Sequence, residues 1–223
     1  MIEIHGLEGV HFRLAAASIA AGEMAAVVAP SEPCAREFVD LLLGLSAPRG
    51  GTVSLLGRDL AALDERSRLS ARRGLGYAAQ AQGLVAHLAL WENILLGAAY
   101  HGGGDADRVD SRVRQMLEWC SWPEEDARRA FLRRPEQATP FERSGAAWIR
   151  AALGEPELVV CEDLFAGLAL EERRRLLGAS VAFQSESPAR GTVFVLVNDH
   201  LLEEIQPTSV LYLSHGGDFR SET

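Results

Sequence analysis

Two short runs constrain the fold of this chain more than any other feature. Leu158 to Cys161 and Val193 to Val197 are continuously apolar, as strands covered on both faces of a sheet are, and they end in Glu162-Asp163 and Asn198-Asp199-His200. Between them lies a charge-rich helical stretch, Leu170 to Val181. Parallel pairing of two strands requires such a crossover, so the pattern predicts an α/β core. Polar residues at the carboxyl ends of the strands mark where sheets of this kind bind ligands.

The first third of the chain repeats the alternation. Met24 to Ala29 reads as a strand, Pro30-Ser31-Glu32-Pro33 as a loop, and Phe38, Leu41, Leu42 and Leu45 fall at helical spacing. Thr52 to Leu56 and Leu75 to Ala79 read as two further strands, the second running into Gln80 and Gln82. From about Leu88 to Leu153 strand signals vanish. Val109, Val113, Met116, Leu117 and Cys120 share one helical face, and Ala146 to Leu153 continues the helical character, which predicts an inserted helical lobe. Gly102-Gly103-Gly104 reads as a flexible loop.

Composition narrows the function classes. All 22 basic residues among the 223 are arginine, so chemistry that needs an ammonium group is excluded. The formal net charge of -9 argues against nucleic acid held by bulk electrostatics and against a surface drawn to anionic lipid. Cys34, Cys120 and Cys161 are scattered, without a C-x-x-C pair, which fits a reducing, cytoplasmic setting and no metal site. Met1 to Gly9 does not read as a secretory signal. The apolar stretch Leu84 to Tyr100 is interrupted by His87, Glu92 and Asn93, so direct membrane insertion is not expected.

A series of short anchors, in order, resembles an ATP-binding-cassette (ABC) transporter ATPase over essentially the whole chain. They are Ala21-Gly22-Glu23, Leu43-Gly44-Leu45, Gly50-Gly51-Thr52-Val53, Leu56-Gly57-Arg58-Asp59-Leu60, Gly76-Tyr77-Ala78-Ala79-Gln80 with Trp91-Glu92-Asn93-Ile94, and Leu158 to Leu168. The resemblance implies an α/β, P-loop NTPase-like (RecA-like) core with a mixed or parallel sheet, an N-terminal β-subdomain and an inserted α-helical subdomain. It implies one nucleotide-binding-type domain over residues 1–223, with the core in residues 1–80 and 154–223 and the helical subdomain in residues 81–153.

Measured against that family, the motifs that do chemistry are altered. The phosphate loop G-x-x-x-x-G-K-[ST] cradles phosphates with backbone N–H groups, a lysine and a hydroxyl. Here Ala29 and Cys34 stand at its glycines, Ala35 at its lysine and Arg36 at its hydroxyl, while Pro33 removes a donor and Glu32 adds negative charge. The signature L-S-G-G-E aligns with Ala138 to Glu142, so Thr139, Pro140 and Phe141 occupy its centre. Thr139 with Pro140 and Glu142 reads as a helix N-cap and first turn.

The Walker B acids fall in reversed order as Glu162-Asp163, the switch histidine falls on Asp199 with His200 next to it, and Gln80 matches the Q-loop glutamine. Asp199 is also read as an N-cap for a helix near Leu201. Between Ile4 and His11, where the family stacks adenine, there is no Phe, Tyr or Trp.

Family ATPases hydrolyse at two composite sites, each joining one subunit's phosphate loop to the other's signature. Because both halves are altered here, the expected function is a catalytically inactive subunit in a membrane ABC transporter-type complex. No cofactor is expected on this chain, with ATP and magnesium only in an intact partner subunit. The expected partners are an integral membrane permease-like subunit and a second ABC ATPase-like subunit, in a homo- or heterodimer. The chain is then peripheral on the cytoplasmic membrane through those partners. Gln80, Leu84, Val85, Leu88 and Trp91 are the expected permease face, the same residues also suiting the core of the lobe. Two alternatives stay open: a weak ATPase using Arg36 as the cation with Glu162 or Asp163 on magnesium, and a soluble interaction module.

Overall fold

The structure is a computed structural model that describes residues 1–79, 83–100 and 106–215. In chain order the strands are β1 (Ile2–Glu8), β2 (Phe12–Ile19), β3 (Met24–Ala29), β4 (Gly50–Leu55), β5 (Leu75–Ala79), β6 (Leu158–Glu162), β7 (Gly191–Val197), β8 (Ser209–Tyr212) and β9 (Ser214–His215). The helices are α1 (Glu32–Leu42), α2 (Glu65–Ala71), α3 (Leu90–Tyr100), α4 (Ala106–Trp119), α5 (Glu124–Phe131), α6 (Pro140–Leu153), α7 (Leu170–Ser185) and α8 (Leu202–Ile205). The chain divides into two compact units, Met1–Gly74 with the segment from Val193 onward, and Leu75–Thr192.

In the first unit an antiparallel sheet runs β4-β1-β2-β9. Ile2, Ile4 and Leu7 of β1 are buried, and the step of three between the last two follows from Gly6, whose φ of +58° breaks the two-residue alternation at a shift of register against β4. Gly51 is required at the same place: its φ is +72° and an added Cβ would lie 2.0 Å from the Gly6 carbonyl oxygen. The other sheet of this unit orders β7-β3-β8, with β3 and β8 parallel from Ala25↔Ser209 to Val28↔Tyr212. All six residues of β3 are buried, as the uninterrupted apolar run predicts. Strand β4 begins two residues before the predicted Thr52 and stops at Leu55, because Leu56 and Gly57 both turn into positive φ.

In the second unit β5 and β6 pair in parallel from Leu75↔Leu158 to Ala79↔Glu162, and α6 packs on β5 so closely that a Cβ on Gly76 would meet the Ala151 carbonyl at 2.2 Å. From Leu88 to Leu153 the described residues are helices and turns, as the missing strand signals predict. Among the described residues Trp148 of α6 is the largest fully buried side chain, set edge-on to Trp119 of α4 and Phe183 of α7.

An ion-pair cluster ties α4 to the end of α7. Arg112 grips Glu186 in a bidentate pair at 2.6 and 2.5 Å, Arg190 donates to the same carboxylate, and the two guanidiniums stack over Trp119 and Phe183. Hydrogen bonding by Arg112 is the main reason the Glu186 carboxyl sits below its ordinary range; burial opposes the shift and Arg190 adds to it. A carboxyl depressed by folding contributes stability above its unfolded pKa of about 4.5 and loses it as pH falls through the folded value. Glu186→Gln is therefore expected to cost about 1–2 kcal/mol at neutral pH and to flatten the acid limb of the stability profile. Urea melts at stepped pH check this, and an unchanged acid limb would contradict it.

Candidate functional site

The two halves of the expected site lie in different units, and each is built locally. In the first unit, β3 ends at Ala29 and the chain turns through Pro30 and Ser31 into α1, with Pro33 in its first turn. Ser31 is extended and caps nothing with its side chain; its hydroxyl donates to Cys34 Sγ at 3.1 Å, and that thiol donates to the His11 carbonyl at 3.2 Å. Cys34 and Ala35 are buried, so where the resemblance places a lysine there is a methyl group packed inside, 2% exposed.

Arg36 pairs with Asp40 at 3.2 Å, one turn toward the C-terminal end of α1. Glu37 turns the other way: its carboxylate accepts the Val10 and His11 backbone N–H groups, the latter at 2.8 Å, and lies 3.2 Å from His11 Nδ1. The sequence carries no motif that singles out Glu37. It is an acid answering two backbone donors of the turn between β1 and β2.

At the end of β7, Asn198 N–H donates to the Ala29 carbonyl at 3.2 Å and Asn198 has a φ of +82°. Asp199 and His200 are exposed, and the His200 ring contacts the Asn198 side chain. The reading of Asp199 as a helix N-cap is corrected here. The residue before α8 is Leu201, in helical conformation, and the turn closes through the Asp199 carbonyl, which accepts Leu202 N–H at 3.0 Å. The helix is four residues long and starts from a continuous turn, which leaves no extended residue to aim a side chain back at it.

Between Ile4 and His11 there is no Phe, Tyr or Trp, and Phe12 next to them is buried edge-on to Phe38 at 5.8 Å. Taken together, this turn does not fit a magnesium-bound triphosphate. It sets Ala35 and Arg36 where such a ligand needs a lysine and a hydroxyl, with Pro33 lacking an amide donor and Glu32 adding an acid.

In the second unit, Glu162 closes β6 and accepts the Tyr77 hydroxyl from the neighbouring strand β5. Asp163 is exposed at a φ of +48°, its carbonyl accepting Ala166 N–H at 3.2 Å. The signature-aligned segment opens α6 through a full capping box. Thr139 Oγ1 accepts Glu142 N–H at 3.2 Å, and Glu142 accepts Thr139 N–H at 2.9 Å, with Pro140 in the first turn, as the sequence predicts. Glu142 also pairs with Arg133 at 2.8 Å, so an internal carboxylate already sits at this helix N-terminus. Phe141 is buried against Trp122, ring centroids 5.2 Å apart, and a Cβ on Gly145 would collide with that indole at 2.7 Å.

Gln80 lies outside the described residues. Leu84, Val85, Leu88 and Trp91 are half-buried. The residue that orders their segment is Asn93, an anchor of the resemblance and a polar break in the apolar stretch, fully buried on α3. Its amide accepts Val85 N–H at 2.6 Å and donates to the carbonyls of Val85, Leu88 and Ala89 at 3.1, 3.2 and 3.1 Å. Arg150 of α6 holds the Gly83 carbonyl, and burial pulls its pKa down. Trp91 borders a cavity of about 360 Å³ with Val113, Leu117, Phe131 and Leu132, rimmed by the charged side chains of α4 and α5; Leu132 is 82% exposed. Cys34, Cys120 and Cys161 are free and buried, and burial raises the Cys120 thiol to about 12. Among the described residues no cluster of three His, Cys, Asp or Glu could hold a metal ion.

The chain superposes on a dimeric bacterial ABC transporter cassette with a TM-score of 0.80, at 18% identity, over 97% of this chain and 95% of the other. This chain has the ABC ATPase cassette fold. A second solved cassette, a dimer in a post-hydrolysis state bound to ADP and Pi, aligns over the same shares with a TM-score of 0.78. No protein-family model matches the chain. In sequence it is 28% identical over 196 residues to a lipoprotein-releasing system ATP-binding protein of Rhodopirellula baltica, covering 87% of this chain and 80% of that protein. It is 30% identical over 162 residues to an Fe(3+) ions import ATP-binding protein of Rhodococcus jostii, covering 73% of this chain and 42% of the relative. The chain thus spans most of the first relative and less than half of the second. Sequence and fold together support the ABC transporter ATP-binding domain family. Among the described residues no helix of the cassette is long and apolar enough to cross a membrane.

Proposed function

We propose that this cassette occupies a nucleotide-binding position in a membrane ABC transporter-type complex without hydrolysing ATP, and that it holds or biases a permease-like partner. The observation that carries the reading is the turn from Ala29 to Glu37. Ala35 is buried, Arg36 is paired with Asp40, and Glu37 is spent on the β1–β2 turn. The positions aligned with the signature support it from the other unit, since Phe141 packs inward and Glu142 neutralises its own helix end.

In this reading the core comprises residues 1–80 and 154–223 and the lobe residues 81–153. A second ABC ATPase-like subunit completes the pair, and any ATP and magnesium belong to that subunit. In this reading the permease face comprises Leu84, Val85, Leu88 and Trp91 together with Gln80, and the chain is peripheral at the cytoplasmic membrane through its partners. The apolar cavity floored by Trp91 and edged by Leu132 suits an apolar helix from such a partner.

Two measurements test the proposal. Equilibrium dialysis with magnesium-ATP is expected to give no saturable binding up to millimolar nucleotide, and micromolar binding would sink the nucleotide-free half. Extraction of the native complex in mild detergent is expected to bring down an integral membrane subunit; recovery of the chain alone would sink the partner half.

A further inference from the structure

The second unit contains a polar cavity that shares Thr139, Phe141 and Glu142 with the signature-aligned segment and is completed by Ser121, Asp126, Arg129, Arg133 and Arg175, to which the cassette resemblance gives no role. It measures about 530 Å³, within the range of small-molecule sites, and lies between the α4–α5 turn, α5, the start of α6, and α7. Three guanidiniums line it against two carboxylates, and both carboxylates are committed: Asp126 to Arg129 and Glu142 to Arg133 and the Thr139 amide. The third guanidinium, Arg175 of α7, has no carboxylate partner among the described residues.

Arg175 is nonetheless held rigidly. Its Nε–H donates to the Cys120 carbonyl at 2.9 Å, its Nη2 donates to the Ser121 carbonyl at 2.7 Å, and its Cζ lies over the Phe141 ring, 4.1 Å from the centroid. Those bonds occupy the Nε–Nη2 edge of the fork. The Nη1–Nη2 edge keeps two parallel N–H donors, the geometry that receives both oxygens of a carboxylate or phosphate. A fixed, uncompensated cation with one bidentate edge left over is preorganised for an anion and gives up little side-chain entropy on binding.

We propose that this cavity is a binding site for a small molecule carrying a phosphate or carboxylate group, which docks end-on against Arg175, with the Thr139 and Ser121 hydroxyls at its wall. The site lies within one unit and does not depend on the function proposed above.

Inorganic phosphate and citrate, titrated separately into the intact chain at low ionic strength without nucleotide, test it through the arginine Nε–H resonances. At least one of the two is expected to shift Arg175 saturably at about millimolar concentration. Arg175→Lys, which keeps the charge and loses the fork, is expected to bind about tenfold more weakly, and Arg134→Gln, a surface control, to bind as before. Which anion binds tells phosphate from carboxylate. A readout that needs no variant is phenylglyoxal labelling of the wild type, in which the binding anion is expected to protect Arg175 selectively. The assignment is overturned if neither anion gives a saturable response, if Arg175→Lys folds and binds equally well, or if protection is uniform across the arginines. Self-association abolished by Arg175→Lys, with no response to either anion, would also overturn it and assign the edge to an acidic side chain of a second copy.

Discussion

Trp148→Ala is expected to lower the stability of the protein by about 3–5 kcal/mol. The indole is 0% exposed at the centre of the second unit, edge-on to Trp119 and Phe183, and its Nε1–H donates to Ser180 Oγ at 3.1 Å. Removing it opens a cavity between α4, α6 and α7 that helices pinned on several sides cannot close. It also takes from the buried Ser180 the one donor it has among the described residues; that hydroxyl already spends its own proton on the Leu176 carbonyl at 3.0 Å. Against a typical margin of about 5–15 kcal/mol this is a large fraction. Trp148→Phe, which refills most of the volume, is expected to lose roughly half as much. Chemical denaturation of the three proteins checks the order. A loss below about 1 kcal/mol for the alanine variant would show that the helices repack and that the indole does not organise this core.

Asn93→Ala is expected to cost about 2–4 kcal/mol locally and to release the segment from Val85 to Ala89. Four hydrogen bonds of one buried amide shape that segment, and alanine leaves the Val85 N–H and three carbonyls without it. Amide exchange reads the effect directly: the Val85 N–H is expected to be protected in the native protein and to exchange about a hundredfold faster in the variant. If the segment is the permease face, the same variant is expected to lose the membrane partner while the ion-pair cluster at Glu186 stays intact. Native exchange at Val85 with no change on substitution would separate Asn93 from the ordering of this face. Wild-type-like recovery of the partner from the variant would separate the ordering from the partner contact.

The α/β core and its helical lobe were legible because their signals are local and redundant. A run such as Val193 to Val197 has no polar face to turn toward water, so it has to be buried on both sides. The capping box at Thr139 was legible for the same reason, because its donor and acceptor lie within four residues of each other. Element ends were less so: β4 stops at Leu55 because two consecutive residues take positive φ, which no apolar pattern records.

Side-chain chemistry divided along the same line. Which residue types stand at the phosphate-loop and signature positions was determined by the sequence alone, including the absence of any lysine, and tertiary structure adds nothing to it. What those residues do with their charges was decided only in three dimensions. Glu37 reaches 26 residues back to His11, Arg175 turns to carbonyls 54 and 55 positions away, and Asn93 folds over a loop whose backbone donors and acceptors are invisible as letters. Apolar periodicity is written into the chain because burial acts on each residue separately. A buried hydrogen bond belongs to two groups at once, and only the folded backbone brings the second one within reach.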